Sequence, residues 1–184
     1  AHYIGQFRQD LNYAFLFSGQ GSQYLNMGLE LFEKIPEFKS DIEKCDRLFQ
    51  AHDIYIVTNV FNADEPDTST SINNLCTQPA IFSIQYALVQ LWKRAGISPD
   101  YVLGHSIGEY CAAYIAGVFS LEDVVKLVAN RARLMNSVSD AGAMLAVRAE
   151  LPNLSLYLDK YADSVSVAAL NGPSGCVISG AASD

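Results

Sequence analysis

The stretch that decides the fold is YVLGHSIGEY, residues 101–110. It begins with the short apolar run Tyr101-Val102-Leu103, which predicts a buried strand, and the helical spacing of residues 108–117 follows it. Between them, Gly104-His105-Ser106-Ile107-Gly108 fits the pattern G-x-S-x-G. In a strand–turn–helix context this pattern holds a serine hydroxyl on a tight turn, where the small glycines avoid clashes. The pattern therefore predicts Ser106 as a nucleophile.

The surroundings of this turn predict a site for a developing negative charge. A helix that starts just after Ser106 points its free N–H groups and its positive dipole end toward the serine. The backbone N–H of Ile107 is placed to be one oxyanion donor. Upstream, Tyr13–Phe17 predicts a buried parallel strand that ends in a turn rich in Gly and Ser at residues 18–22.

The rest of the chain alternates predicted strands and helices up to about residue 140 and then changes character. Gly96 is expected to end one helix, and Ser120 is expected to cap another together with Asp123. A separate β-α-β-β unit follows, with a hairpin turn at residues 171–175. The predicted helices are 28–36, 37–51, 78–95 with Pro79 near its start, 108–117, 121–138 and 151–161; the further strands are 143–147, 165–170 and 176–179; residues 1–12 are expected to be a linker and 62–74 a polar loop.

Composition narrows the function classes. The 184 residues carry a formal net charge of -8, which disfavours binding to nucleic acid or to an anionic membrane. The four cysteines form no CxxC pair and have no histidine at metal-ligand spacing, so we expect reduced core thiols and no metal. Because the N-terminus has no signal-peptide pattern, we expect a cytoplasmic protein. The four are Cys45, Cys76, Cys111 and Cys176.

A serine nucleophile needs a base, and the three histidines are poor candidates. His2 lies in the expected linker. His52 follows a helix and precedes a strand-like run, and we expect it on the surface. His105 is next to Ser106 on a strand-like approach, so its side chain should point away from the hydroxyl. Either Ser106 is not catalytic or the chain is incomplete.

Three motifs together resemble those of one enzyme family. Residues 17–23 (FSGQGSQ), 77–80 (TQPA) and 104–110 (GHSIGEY) are similar, in order and spacing, to the F-x-G-Q-G-S-Q, T-Q-P-A and G-H-S-x-G-E motifs of malonyl-CoA:acyl-carrier-protein transacylases. They equally resemble the acyltransferase domains of modular polyketide synthases. The likeness runs from about Tyr13 to the end of the chain.

The resemblance implies an α/β-hydrolase-like large subdomain with a short parallel sheet, of which residues 13–140 would be the N-terminal part. Residues 141–184 would be part of a ferredoxin-like small subdomain. It also implies ping-pong transfer of an acyl group through an ester on Ser106. The acyl-CoA is the donor, and the phosphopantetheine thiol of an acyl carrier protein is the acceptor. No permanently bound cofactor is expected, and neighbouring synthase domains are possible partners.

The resemblance also assigns roles to four further residues. The backbone N–H groups of Gln20 and Ile107 would form the oxyanion hole, and Arg131 would bind the carboxylate of a malonyl group. Gln78 would support substrate binding. Arg133, two residues further along the same predicted helix, is the competing candidate for the carboxylate. Ile107 directly after the nucleophile favours malonyl over branched extender units.

The family's histidine would follow the small subdomain, beyond Asp184. The resemblance therefore implies an incomplete chain with weak or no activity alone, since loss of a base costs several orders of magnitude. Two alternatives stay open. One is a serine thioesterase or hydrolase of the α/β-hydrolase class, which shares G-x-S-x-G. The other is a non-catalytic docking remnant of a synthase.

Overall fold

The computed structural model describes residues 11–24, 26–61, 74–138 and 142–182. The expected linker at 1–12 and the expected polar loop at 62–74 lie almost wholly outside the described residues. The chain divides into two compact units, residues 1–136 and 137–184. The elements of the first unit are β1 (Ala14–Phe17), α1 (Leu29–Lys34), α2 (Pro36–Gln50), a π-helical turn (Val57–Phe61), α3 (Asn74–Arg94), β2 (Tyr101–Gly104), α4 (Gly108–Ile115) and α5 (Leu121–Asn136).

The sheet of the first unit brings the two motif-bearing turns together. Strands β1 and β2 are parallel, with Ala14 opposite Tyr101 and Phe17 opposite Gly104. Because both strands run in the same direction, the turns that follow them meet at one edge of the sheet. The prediction of an α/β fold with a short parallel sheet is confirmed.

The helices of the first unit enclose an apolar core. Fully buried aromatic side chains from α2 and α3 meet there, and Phe49 packs edge-on against Phe82 with ring centres 6.3 Å apart. Helix α5 contributes a stripe at three- and four-residue spacing, which is the period of one helix face. The stripe consists of Leu121, Val124, Val125, Val128, Ala129 and Ala132.

Local capping follows the sequence closely. The Ser120 hydroxyl accepts a hydrogen bond from the Asp123 N–H at 3.1 Å and donates to the Asp123 carboxylate at 2.7 Å, as predicted. At the end of α3, Gly96 has φ +82, and the Ile97 N–H donates to the Trp92 carbonyl. This is a Schellman C-cap, in which only glycine avoids the penalty of a left-handed backbone.

Two local predictions are wrong. Helix α3 begins at Asn74 instead of 78, so Pro79 lies inside the helix, where its ring nitrogen cannot donate to a preceding carbonyl. The strand-like run after His52 is a π-helical turn instead. The reason is Asp46, whose carboxylate accepts the N–H groups of Ile56 at 2.5 Å and Val57 at 3.1 Å and so replaces strand pairing.

The second unit consists of a three-stranded antiparallel sheet in the order β3-β5-β4 with one helix. The expected hairpin is confirmed, because β4 and β5 pair with Gly172 opposite Gly175. The sequence order β-α-β-β agrees with the first portion of a ferredoxin-like β-α-β-β-α-β fold. Its elements are β3 (Gly142–Val147), α6 (Leu151–Leu158), a 3₁₀ turn (Asp159–Tyr161) that ends the longer predicted helix, β4 (Val165–Gly172) and β5 (Gly175–Ala181).

Candidate active site

Ser106 stands on the bend between β2 and α4 in a conformation that few residues other than glycine adopt. Its φ is +53, in the left-handed region. The bend is held on both sides, since the His105 N–H donates to the Phe17 carbonyl at 2.9 Å and the Glu109 N–H to the Ser106 carbonyl at 3.0 Å. A strained serine between a strand and a helix is the geometry of a nucleophile turn, which presents the hydroxyl to a substrate.

The two motif glycines are required by close packing around this turn. A Cβ atom on Gly104 would overlap the backbone of Gly108 and Glu109 at the start of α4. A Cβ atom on Gly108 would overlap the carbonyl of Phe17 at the end of β1. The pattern G-x-S-x-G therefore has a steric basis, since it lets the helix start against both strands.

Arg131 on α5 reaches the serine. Its Nη2 donates to the Ser106 Oγ at 3.2 Å, and its Nη1 donates to the Gln78 side-chain carbonyl. The guanidinium also lies 5.8 Å from the centre of the Tyr110 ring, at cation–π distance. Arg133 points elsewhere, to the His52 carbonyl and to Asp53 at 3.5 Å. Of the two candidate arginines, the structure brings Arg131 to the serine.

Gln78 is a buried link between Arg131 and the turn after β1. Its side chain is only 2% exposed, and its Nε2 donates to the Gln20 Oε1 at 3.1 Å and to the Met135 sulfur at 3.0 Å. Both ends of the amide are thus used by protein groups. This arrangement suits a residue that orients its neighbours more than one that contacts a substrate directly.

The turn at residues 18–22 lies against the nucleophile turn. A Cβ atom on Gly19 would come within 2.6 Å of the His105 Nδ1 and 3.4 Å of the Ser106 Cβ, so the two turns approach too closely for a side chain at residue 19. Among the described residues, no hydrogen-bond acceptor is found for the backbone N–H of Gln20 or of Ile107. An oxyanion hole needs two amide donors that are not used within the protein, so both groups stay candidates for that role.

The described histidines are not brought to the hydroxyl. In the part of the chain that the structure describes, the hydrogen bond of the Ser106 Oγ is the one from Arg131. His52 lies at the end of α2, where its carbonyl accepts from Arg133. The His105 ring faces Gly19. His2 is outside the described residues.

The thiols are core groups and not competing nucleophiles. All four cysteines are free and buried, as predicted. Burial raises the pKa of Cys45 to about 12, and burial also raises the pKa of Cys111 on α4. Both thiols are therefore protonated at neutral pH, and a protonated thiol is a poor nucleophile.

Three residues near the site escaped the sequence interpretation, although helical spacing carried a signal for two of them. Met135 lies four residues after Arg131 and Gln85 seven after Gln78, so each shares a helix face with a motif residue. Gln85 donates to the Ser18 carbonyl at 2.8 Å. Tyr110 is the last residue of the stretch GHSIGEY, but its contact with Arg131 joins two helices, and no local pattern predicts such a contact.

The described residues offer neither a metal cluster nor a membrane-spanning helix. Across residues 11–24, 26–61, 74–138 and 142–182, no group of three or more His, Cys, Asp or Glu side chains could hold a metal ion. No helix in the same ranges is long and apolar enough to cross a bilayer.

Known proteins resemble this chain over nearly its whole length. The acyl transferase domain family matches residues 14–184. Erythronolide synthase EryA2 of Saccharopolyspora erythraea is 40% identical over 169 residues, covering 92% of this chain and 5% of that protein. The acyltransferase domain from the second module of the salinomycin polyketide synthase is 40% identical with a TM-score of 0.83, covering 94% of this chain and 39% of that one.

A second similar structure contains a carrier protein. It is a type II polyketide synthase acyl-carrier protein in complex with its malonyl-transacylase. That match is 27% identical with a TM-score of 0.80, and it covers 94% of this chain and 56% of the other. This chain thus spans about half or less of the solved domains it resembles, and a small fraction of the synthase.

Proposed function

This chain belongs to the acyl transferase domain family, and on that premise we propose that it moves a malonyl group from malonyl-CoA to the phosphopantetheine thiol of an acyl carrier protein. The observation that carries the proposal is the strained Ser106, whose Oγ lies 3.2 Å from the Nη2 of Arg131. A nucleophile beside a guanidinium suits an acyl group that ends in an acid.

The reaction would proceed in two balanced halves. The Ser106 oxygen attacks the thioester carbonyl, its proton passes to a base, and the tetrahedral intermediate expels coenzyme A, which takes up a proton. The carrier-protein thiol then attacks the carbonyl of the Ser106 ester, its proton passes through the base to the serine oxygen, and the serine leaves as the hydroxyl. In both halves the backbone N–H groups of Ile107 and Gln20 would stabilise the negative oxygen.

Arg131 would select for the acid tail. In a malonyl ester on Ser106 the carboxylate is separated from the ester carbonyl by a single carbon, so it stays close to the guanidinium. Gln78 and the Tyr110 ring hold the guanidinium, which lowers the conformational cost of gripping a carboxylate. An acetyl group would leave this charge unpaired in the cleft, which costs binding. Ile107 after the nucleophile also favours malonyl.

The base and the carrier-protein contacts would come from polypeptide outside these 184 residues. Support comes from the length of the similar solved domains, of which this chain covers 39% and 56% in the two cases above. In the described residues, Arg131 is the group bonded to the Ser106 Oγ. The longer polypeptide would then be active, and the chain alone weakly active or inactive. We expect no permanently bound cofactor.

The test uses a longer polypeptide that contains this sequence, incubated with malonyl-CoA and analysed by mass spectrometry. We expect one malonyl group on the peptide that carries Ser106, transfer of that group to a carrier protein, and loss of both in Ser106→Ala. Arg131→Ala should lower malonylation by about 100-fold, as expected for a lost charged contact. The matched control is Arg133→Ala, which should keep it.

Other outcomes would favour the alternatives. Rapid release of free malonate without transfer to the thiol would indicate a hydrolase, especially if neutral esters are cleaved equally by Arg131→Ala. Failure of Ser106 to react at all, with malonyl-CoA or with a fluorophosphonate, would indicate a non-catalytic remnant. Full activity of the 184-residue chain alone would contradict the proposal of an external base.

A further inference from the structure

Two glutamines on one face of α3 hold the turn that follows β1. Gln78 and Gln85 are seven residues apart, which places them on the same side of the helix two turns from each other. Gln78 donates to the Gln20 side chain at 3.1 Å, and Gln85 donates to the Ser18 carbonyl at 2.8 Å. The helix therefore makes hydrogen bonds to the turn at Ser18 and at Gln20.

The Gln85 side chain contacts both the backbone carbonyl and the side-chain hydroxyl of Ser18. Its Nε2 lies 2.8 Å from the Ser18 carbonyl and 3.4 Å from the Ser18 hydroxyl. That hydroxyl donates to Ser22, and the Ser22 hydroxyl donates to the Gly19 carbonyl at 2.8 Å. Two successive carbonyls of the turn are thus tied to side chains, so the orientation of the peptide leading into Gln20 is restrained.

The Gln85 amide is unfavourable as a packing residue. Its Oε1 is buried, and no described residue donates a hydrogen bond to it. A buried acceptor without a partner costs about 1–3 kcal/mol, a cost that an apolar side chain of similar shape avoids. Stability alone would thus favour methionine or leucine at this position, and the donor end of the amide is the part that contributes to the turn.

We infer that Gln85 is a positioning residue for the oxyanion hole: it holds Ser18, one peptide before the Gly19–Gln20 peptide, and so limits how far the Gln20 backbone N–H can turn. The inference rests on the proposed acyl transfer. An oxyanion exists only in the tetrahedral transition state and intermediate, so a misdirected donor lowers kcat and leaves substrate binding alone. The turn approaches Ser106 so closely that a Cβ atom on Gly19 would meet the serine side chain, so small displacements of the turn alter the geometry at the reacting atoms.

The experiment compares Gln85→Met with Gln90→Met, both on α3, in the longer polypeptide. For malonyl transfer to a carrier protein, we expect Gln85→Met to lower kcat about 10-fold or more, as for a weakened oxyanion donor. KM should stay within about 2-fold and Tm should not fall. Gln90→Met should match the wild type. Gln85→Glu, which replaces the donor by an acceptor, should lower kcat further and serves if the first variant does not fold.

A second readout separates positioning from general damage. An arylboronic acid forms a tetrahedral adduct on a reactive serine and places an oxygen in the oxyanion hole. Its affinity should fall by the same factor as kcat in Gln85→Met, while malonyl-CoA affinity is retained. Unchanged kcat and boronate affinity would overturn the inference. A fall in kcat that comes with a comparable rise in KM and a lower Tm would overturn it as well, because it would indicate general damage. If wild-type Ser106 forms no ester, the proposed function itself fails, and the wild type alone reveals that.

Discussion

The two units of this chain bury their apolar residues to very different extents. In residues 1–136 many large side chains are fully buried, among them Phe38, Phe49 and Phe82. In residues 137–184 the one buried apolar side chain among those described is Cys176, while Met144 and Leu145 are 70% and 60% exposed. A sheet of three strands with one helix is too small to enclose a core by itself. The strained left-handed backbone of Ser106 lies in the first unit, where a packed core can stabilise it.

The largest expected effect tests this contrast in the cores. Phe82→Ala removes a fully buried ring that packs on Phe49, and we expect a loss of about 3–5 kcal/mol in the free energy of unfolding. Leu145→Ala in β3 is the matched control, expected within about 0.5 kcal/mol of the wild type. Urea unfolding measures both. Similar losses in the two variants would mean that the second unit has a core of its own.

The next effect concerns close packing by glycine. Gly108→Ala forces a Cβ atom into the Phe17 carbonyl, and we expect a loss of about 3 kcal/mol because backbone cannot move aside as a side chain can. Gly142→Ala in the second unit is the control, since its Cβ atom would lie 3.6 Å from the Gly180 carbonyl, an ordinary contact. Equal stability of the two variants would show that α4 shifts freely from β1.

A smaller loss of stability is expected when the buried carboxylate of Asp46 is removed. Asp46→Ala removes the acceptor for the backbone N–H groups of Ile56 and Val57, and we expect a loss of about 2 kcal/mol from the donors left unpaired. Asp159→Ala, an exposed carboxylate of the second unit, should change stability by less than about 0.5 kcal/mol. Hydrogen exchange at Ile56 and Val57 should rise in the first variant. If it does not, the carboxylate is not what holds the π-helical turn.

The last effect does not change stability near neutral pH and is measurable only as a pH dependence in alkali. Burial raises the pKa of Cys45 from 9.0 to about 12, so the folded state keeps a proton that the unfolded state has released. This contribution to stability is complete below pH 9.0 and is lost as the pH rises toward about 12. Thermal unfolding between these values should show a shallower decline in Cys45→Ala than in the wild type. Identical slopes would contradict the shift.

Predictions from the sequence succeeded where the determinant was local. The cap formed by Ser120 and Asp123, the left-handed Gly96 and the hairpin between β4 and β5 depend on residues a few positions apart. The strand–turn–helix context of Ser106 is local in the same sense. The predicted strand-like run after His52 was wrong because the Asp46 carboxylate, ten residues before Ile56, binds its backbone N–H and holds a π-helical turn.

By itself, the sequence determined which residues are chemically able to form the site and the order of strand, turn and helix that exposes Ser106. The family resemblance already favoured Arg131 over Arg133, and only the tertiary structure decided how Arg131 reaches the serine and that Gln85 and Tyr110 belong beside the site. The physical reason is that turns and caps are set by bonds within a few residues. Contacts such as that of Gln85 with Ser18 exist only once the fold brings together a helix and a turn that are 67 residues apart in the sequence.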